Sequence, residues 1–262
     1  MNPTVKPLLT HLPLLATLSI CGVLLAYGPI AQLAHYHDFA DQSIVMGVPH
    51  AADVLSNLGF AVVALWGMMR LWPLRNRPSL QAGRHGYALF LVGLLLTAFG
   101  SSYYHLAPDN ARLVWDRLPI ALACAGLLAA VRADCLHKAT SSAETLLLGG
   151  FGVCSVAWWV VTAQHGIGDL RPYLLLQGLL LLLIPLWQAI YQAPVKDRMA
   201  FGIALLLYVA AKAAEVNDHQ LLDCLGVVTG HTLKHLLATG AAAVIVAWLV
   251  KVAEESVVGR LA

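Results

Sequence analysis

The sequence predicts an all-α polytopic membrane bundle, and three observations carry that expectation. The chain of 262 residues is 59% hydrophobic and only 11% charged, with a mean hydropathy of +0.73, whereas soluble domains carry roughly 25% charged residues. Eight stretches approach the roughly 20 apolar residues that cross a bilayer. Clusters of chain-breaking residues punctuate the ends of those stretches. A net charge of +2 argues against nucleic acid as a partner.

The eight expected spans are 8–27, 51–72, 87–107, 114–134, 145–163, 172–191, 199–216 and 226–250. The first has a loose cleavage pattern at Ala31-Gln32-Leu33-Ala34, but its apolar core exceeds the roughly 7–15 residues of a signal peptide. It reads as an uncleaved anchor. Pro73 and Pro78, Pro108-Asp109-Asn110, Thr140-Ser141-Ser142, the stretch from Gly166 to Pro172, and Pro194 punctuate the later spans. The organisation is therefore an N-terminal helix and loop over 1–50, followed by a seven-helix membrane domain over 51–262. No internal repeat is apparent.

Lysine and arginine set the orientation. Lys6, Arg70, Arg75, Arg77, Arg84, Arg132, Lys138, Lys196, Arg198, Lys251 and Arg260 fall on one side, against Arg112, Arg117 and Arg171 on the other. Both termini are expected in the cytoplasm. His105 closes the third span, Asp116 opens the fourth and His231 opens the last, so all three are expected toward the extracytoplasmic side.

The polar residues within the spans carry the chemistry. Ser101 and His105, and His231 and His235, are each spaced i, i+4, which puts each pair on one helical face. Imidazoles and a carboxylate in hydrocarbon need partners, and a transition metal such as zinc satisfies several at once. HxxxH alone is weak: it also suits haem ligation or hydrogen bonds to neighbouring helices. His105 adds a third imidazole at matching depth, and a three-histidine site leaves the fourth zinc position open for water, whose pKa zinc lowers to about 7. Asp116 suits a proton acceptor or an outer partner of the ligands; its bland role is a helix N-terminal carboxylate paired with Arg112 or Arg117. Ser101 suits a donor to a developing oxyanion, or a hydrogen bond back along its own helix. A serine nucleophile with a histidine base is disfavoured, because the same histidine is wanted as a ligand.

These residues resemble the alkaline ceramidase family, within the superfamily that also holds the progestin and adiponectin-type receptors and the hemolysin III-like proteins. The resemblance rests on Ser101 four residues before His105, Asp116 eleven residues later, His231 and His235 in the last helix, and Ser56-Asn57 in the second span. It implies a seven-helix core and a membrane-embedded hydrolase that cuts an amide bond in a lipid, ceramide-like or another N-acyl lipid. By the same resemblance His105, His231 and His235 hold zinc, Asp116 accepts a proton, and Ser101 stabilises the tetrahedral intermediate. The expected setting is a bacterial inner membrane. The eukaryotic relatives carry an acidic calcium cluster before the first core helix. Here only Asp38, Asp41 and Asp53 are available, so calcium, which wants six to eight oxygens, is not expected. The competing reading is a non-catalytic, zinc-braced receptor or lipid sensor; a haem electron carrier is the third.

The remaining polar residues receive structural readings. Lys212, Glu215, Asp218, His219 and Asp223 form a charged strip, with Lys212 and Glu215 paired at i, i+3 and Lys234 seeking Glu215 or Asp218. His35, Tyr36 and His37 read as an interfacial stretch, and His50, His85, His137 and His165 as facing water or headgroups. Trp66, Trp72, Trp115, Trp158, Trp159, Trp187 and Trp248 read as interfacial or lipid-facing. The run from Leu174 to Leu186 reads as lipid-facing or packed helix. Cys21, Cys124, Cys135, Cys154 and Cys224 form no CxxC pair and read as small buried hydrophobes.

Overall fold

Glycine spacing dictates the tightest packing in the bundle. Gly86, Gly93 and Gly100 recur every seventh residue on one helix, and a Cβ at each would collide with the backbone of the next helix, at Ala130, Ala123 and Trp115 respectively. Small residues let membrane helices approach this closely, where dispersion and not water drives association. The computed structural model describes residues 7–137 and 142–258. Lys6, Lys138, Arg260, Thr140 and Ser141 of the expectations above lie outside them.

A short 3-10 turn leads into α1 (Leu12–Tyr27), and an extended crossing with a two-residue hairpin (Ile44–Val45, Val48–Pro49) follows. Then come α2 (Ala51–Ser56), α3 (Leu58–Leu71), α4 (Pro78–Gln81), α5 (Arg84–Leu106), α6 (Asn110–Leu136), α7 (Ser142–Gln164), α8 (Arg171–Ile190), α9 (Val195–Val216), α10 (Asp218–Leu225) and α11 (Gly230–Val258). Among the described residues, eight segments are long and apolar enough to cross a membrane: Leu8–Tyr27, Ala51–Leu71, Arg84–Leu106, Asn110–Leu136, Ser142–Gln164, Arg171–Ile190, Val195–Val216 and Gly230–Glu255. The protein is an all-α polytopic bundle and an integral membrane protein by this measure. α6 is central, its apolar face wrapped by α5, α7 and α8, while α3, α9 and α11 close the other side.

Asp116 does not open its helix. Asp109 holds the N-cap, accepting from the Arg112 backbone N–H at 2.7 Å, so α6 starts near the capping carboxylate and Asp116 sits about two turns inside it. Arg112 pairs with Asp109, and Arg117 lies over the rings of Tyr36, Trp159 and Tyr173. The pairing of Asp116 with either arginine is not found among the described residues.

α1 lies on the outside of the bundle and is fastened at its C-terminal end. The Asp169 carboxylate accepts from the Ile30 backbone N–H at 3.2 Å, from Trp158 Nε1 at 2.9 Å and from Arg171, while Arg171 also donates to the Leu24 carbonyl at 3.2 Å. Burial pushes the Asp169 carboxyl up, but these donors together outweigh it and hold it well below the usual carboxylate range.

Several structural readings need correction. The His35–His37 stretch is more than an exposed strip: His37 bonds the Tyr104 hydroxyl at 2.8 Å and Asn110 at 2.9 Å, which ties the segment down onto α5 and α6. His50 does not face water alone; it bonds the Asp41 carbonyl and its ring stands edge-on to Phe39. Trp159 and Trp187 are core residues, not interfacial ones. Cys124 and Cys135 are buried, but Cys154 and Cys224 are exposed, because they fall on outward helix faces.

Candidate metal centre

Two helices deliver the histidines. His105 lies in the last turn of α5; His231 and His235 occupy the first two turns of α11. A Cβ at Gly230 would overlap the Ala214 carbonyl oxygen and crowd Asp218, so only glycine lets the start of α11 seat against the α9–α10 junction. One ligand nitrogen from each histidine lies within 4.8 Å of the other two, and all three residues are buried. The ring centroids are 4.7, 4.8 and 5.0 Å apart, which leaves no space for a haem macrocycle between them.

The polar atoms here are short of partners. Both ring nitrogens of His105, Nε2 of His235, Oδ2 of Asp53 and Oδ1 of Asp116 are buried without a hydrogen bond. Such orphans are rare in native interiors, and each marks strain, a function or a missing ion. The convergence of three imidazoles with free nitrogens fits zinc in donor type and number.

Neighbouring residues set the imidazoles. The Ser56 hydroxyl donates to the Asp53 carbonyl at 2.9 Å and stands 2.8 Å from His235 Nδ1. With its only proton used, Ser56 must accept from Nδ1–H, which leaves a lone pair on Nε2 facing the cluster. Asp53 Oδ1 accepts from Thr232 Oγ1 at 2.6 Å, and its Oδ2 faces His105 Nδ1 at 3.9 Å, too long for a hydrogen bond. The His231 backbone N–H donates to Asp218 Oδ1 at 2.7 Å. Lys234 Nζ lies 3.0 Å from His231 Nε2 and 2.9 Å from Glu215 Oε1. His231 therefore reaches a metal through Nδ1, or through Nε2 once the ammonium has left it. Of the two acids expected for Lys234, the structure selects Glu215; Asp218 is spent on the backbone N–H groups of His231 and Ala40.

The crossing segment between α1 and α2 roofs the cluster. The Phe39 ring lies 4.7 Å from that of His105 and 4.5 Å from that of His231, and Phe39 is itself buried. Asp41 caps the start of α2, accepting from the backbone N–H groups of Ser43 and Asp53, each at 2.9 Å. Burial raises its carboxyl, yet the bonds from Ser43, Asp53 and Ala52 leave it below the usual range. Asp41 thus holds the roof to α2.

Below the histidines an apolar cavity of about 130 Å³ runs down between α3, α5, α6, α8, α9 and α11. Ser101, Asp116, His235, Lys212 and Lys234 line its polar end, and Phe90, Leu127, Phe201 and Ile245 its apolar end. Leu180 and Ile184, from the run read as mere packing, also line it. All five expected site residues, Ser101, His105, Asp116, His231 and His235, are therefore together. Ser56, Asp53, Thr232 and Phe39 are the additions. Asp53 and Ser56 were legible as an i, i+3 pair on one helical face; Phe39, on an irregular segment, left no signal. No family model, curated protein or solved structure matches the chain.

Proposed function

We propose that the chain is a zinc-dependent integral membrane hydrolase that cleaves an amide bond in a lipid, ceramide-like or another N-acyl lipid. The observation that carries the reading is the row of orphaned buried nitrogens on His105 and His235, beside His231, at the polar end of an apolar cavity that also presents Asp116 and Ser101. His105, His231 and His235 would hold the metal. Zinc there would supply a Lewis acid for the scissile carbonyl and a nucleophile from water near neutral pH. Amide rather than ester rests on the resemblance to alkaline ceramidases alone.

The chain's own residues then have separate tasks. Asp116 Oδ1, without a hydrogen-bond partner among the described residues, takes the proton of the attacking water and returns it to the departing amine nitrogen. Ser101 Oγ donates to the developing oxyanion. Ser56 keeps His235 in one tautomer, and Phe39 shields the cluster on the side away from the cavity. A cavity of about 130 Å³ lined by apolar side chains suits part of an acyl chain, since empty cavities of that kind stay dry and take apolar guests. The lysine and arginine distribution supports both termini in the cytoplasm and the zinc site toward the extracytoplasmic side; a bacterial inner membrane is the setting this reading proposes.

A non-catalytic, zinc-braced receptor or lipid sensor would need a fourth protein ligand. The clustered group contains three histidines and no carboxylate among the described residues, which favours the open, hydrolytic arrangement. The test is elemental analysis of detergent-purified protein, wild type beside His231→Ala/His235→Ala, followed by hydrolysis of fluorescent ceramides and other N-acyl lipids. About one zinc per chain is expected, lost in the double variant together with activity. A folded wild type that neither contains nor takes up zinc would end the reading.

A further inference from the structure

Two ammoniums beside the histidines share one carboxylate, while Asp116 faces the same polar end without bonding either. Lys212 Nζ lies 2.9 Å from Glu215 Oε2 and Lys234 Nζ 2.9 Å from Glu215 Oε1, so one carboxylate serves two ammoniums and both its oxygens are used. Lys234 adds only the neutral His231 ring at 3.0 Å. Each ammonium has three protons to donate. A brace between α9 and α11 needs only one lysine, and unsatisfied ammonium protons in an apolar setting are costly. A lysine one turn from a helix end ordinarily extends to the interface. Lys212 instead folds onto Glu215, lines the cavity and keeps 44% of its side-chain surface accessible. Both lysines share that polar end with Asp116, Ser101 and His235.

From this juxtaposition we infer that Lys212 and Lys234 form a subsite for an anionic group carried on the amine half of the substrate, so that the lipid is an N-acyl amino acid and not a neutral ceramide. This rests on the hydrolase reading above and names its substrate class. A carboxylate attached next to the scissile amide nitrogen meets the ammoniums while its carbonyl stands at the histidines, because Lys234 touches His231 directly. Lys212 and Lys234 outnumber Glu215; Asp116 faces the same space, and Arg117 beside it carries a guanidinium nitrogen without a hydrogen bond. A divalent metal on the histidines adds further positive charge. Hydrolysis consumes one water, breaks the C–N bond, releases a fatty carboxylate, and leaves a free amino acid whose nitrogen takes the proton. From His235 to Ile245, both in the cavity wall, α11 rises about 15 Å, a depth along which the first part of a dodecanoyl chain can lie.

The experiment measures binding by calorimetry on Asp116→Asn protein as purified, so that cutting is slow against the titration, with N-dodecanoyl-glycine, N-dodecanoyl-ethanolamine and dodecanoate as probes. The glycine conjugate should bind ~10- to 100-fold tighter than the ethanolamide, the range of a charge-assisted hydrogen bond. Lys212→Gln should remove most of that preference. Glu215→Gln supplies the discriminating arm: freeing both lysines should tighten the glycine conjugate, whereas a merely structural network would loosen every ligand. Equal affinity for the two conjugates, or a preference untouched by Lys212→Gln, overturns the subsite. So does dodecanoate binding as tightly as N-dodecanoyl-glycine with the same Lys212 dependence, which would make it a fatty-acid product site. Wild-type cleavage is scored separately. Lys212-dependent binding without cleavage keeps the subsite and removes the hydrolase reading; cleavage of both conjugates at one rate, unchanged by Lys212→Gln, does the reverse.

Discussion

The two ends of the bundle handle polarity in opposite ways. At the end holding Arg70, Arg132 and Asp197, charges are matched and near the surface: Arg70 pairs with Glu254, Arg132 with Glu144, and Asp197 accepts from Trp248 Nε1 at 3.0 Å. At the histidine end, ionisable groups sit deeper and several of their atoms have nothing to bond to, whereas the leftovers at the other end are the Ser79 and Thr145 hydroxyls. Exposed pairs contribute little and mainly keep charges out of the hydrocarbon. Orphaned buried atoms cost free energy without return unless an ion or a substrate completes them. The contrast separates the end that delimits the membrane span from the end where we propose the chemistry, and substitutions at each should differ in kind.

The sharpest way to break the comparison is at Asp116. Asp116→Asn should keep the metal and lower hydrolysis by about 10²- to 10⁴-fold, the usual worth of a positioned acid–base group. If neither metal nor rate changes, Asp116 is not the proton acceptor. Next, Ser56→Ala frees His235 Nδ1 from its acceptor, and zinc affinity should fall about 10- to 100-fold, read by competition with a chromophoric chelator. An unaltered affinity would show that the tautomer is set by something else.

A third substitution tests the packing that joins the two halves of the site. Gly100→Ala forces a methyl onto the Trp115 carbonyl, one residue before Ser101 on α5 and one before Asp116 on α6. It should cost about 1–3 kcal/mol of stability, measured by unfolding in mixed detergent, with some loss of zinc affinity as α5 shifts. The smallest effect belongs to the opposite end. Arg132→Gln/Glu144→Gln should cost under about 1 kcal/mol and leave zinc content unchanged. A large loss of metal in that variant would dissolve the distinction between the ends.

Some of this was legible early because it depends on local chemistry. Hydrophobic runs had to be helices, since lipid offers backbone groups no other partner, and the i, i+4 spacing put His231 and His235 on one face before any packing was known. Other features were not local. Asp109 displaced Asp116 from the helix start by taking the cap; Phe39 reached His105 and His231 from an irregular segment with no periodicity; Gly86, Gly93 and Gly100 looked like ordinary glycines until the backbone of α6 lay against them.

By itself, the sequence determined the membrane class, the spans and the short list of polar residues, because hydropathy and helical spacing act within a segment. Only the tertiary structure decided which orphaned atoms share one space, that Lys234 sits on His231 and Glu215, and that a cavity opens beneath them. Those are distances between helices far apart in the chain, set by side-chain volumes meeting across an interface, and no single segment encodes them.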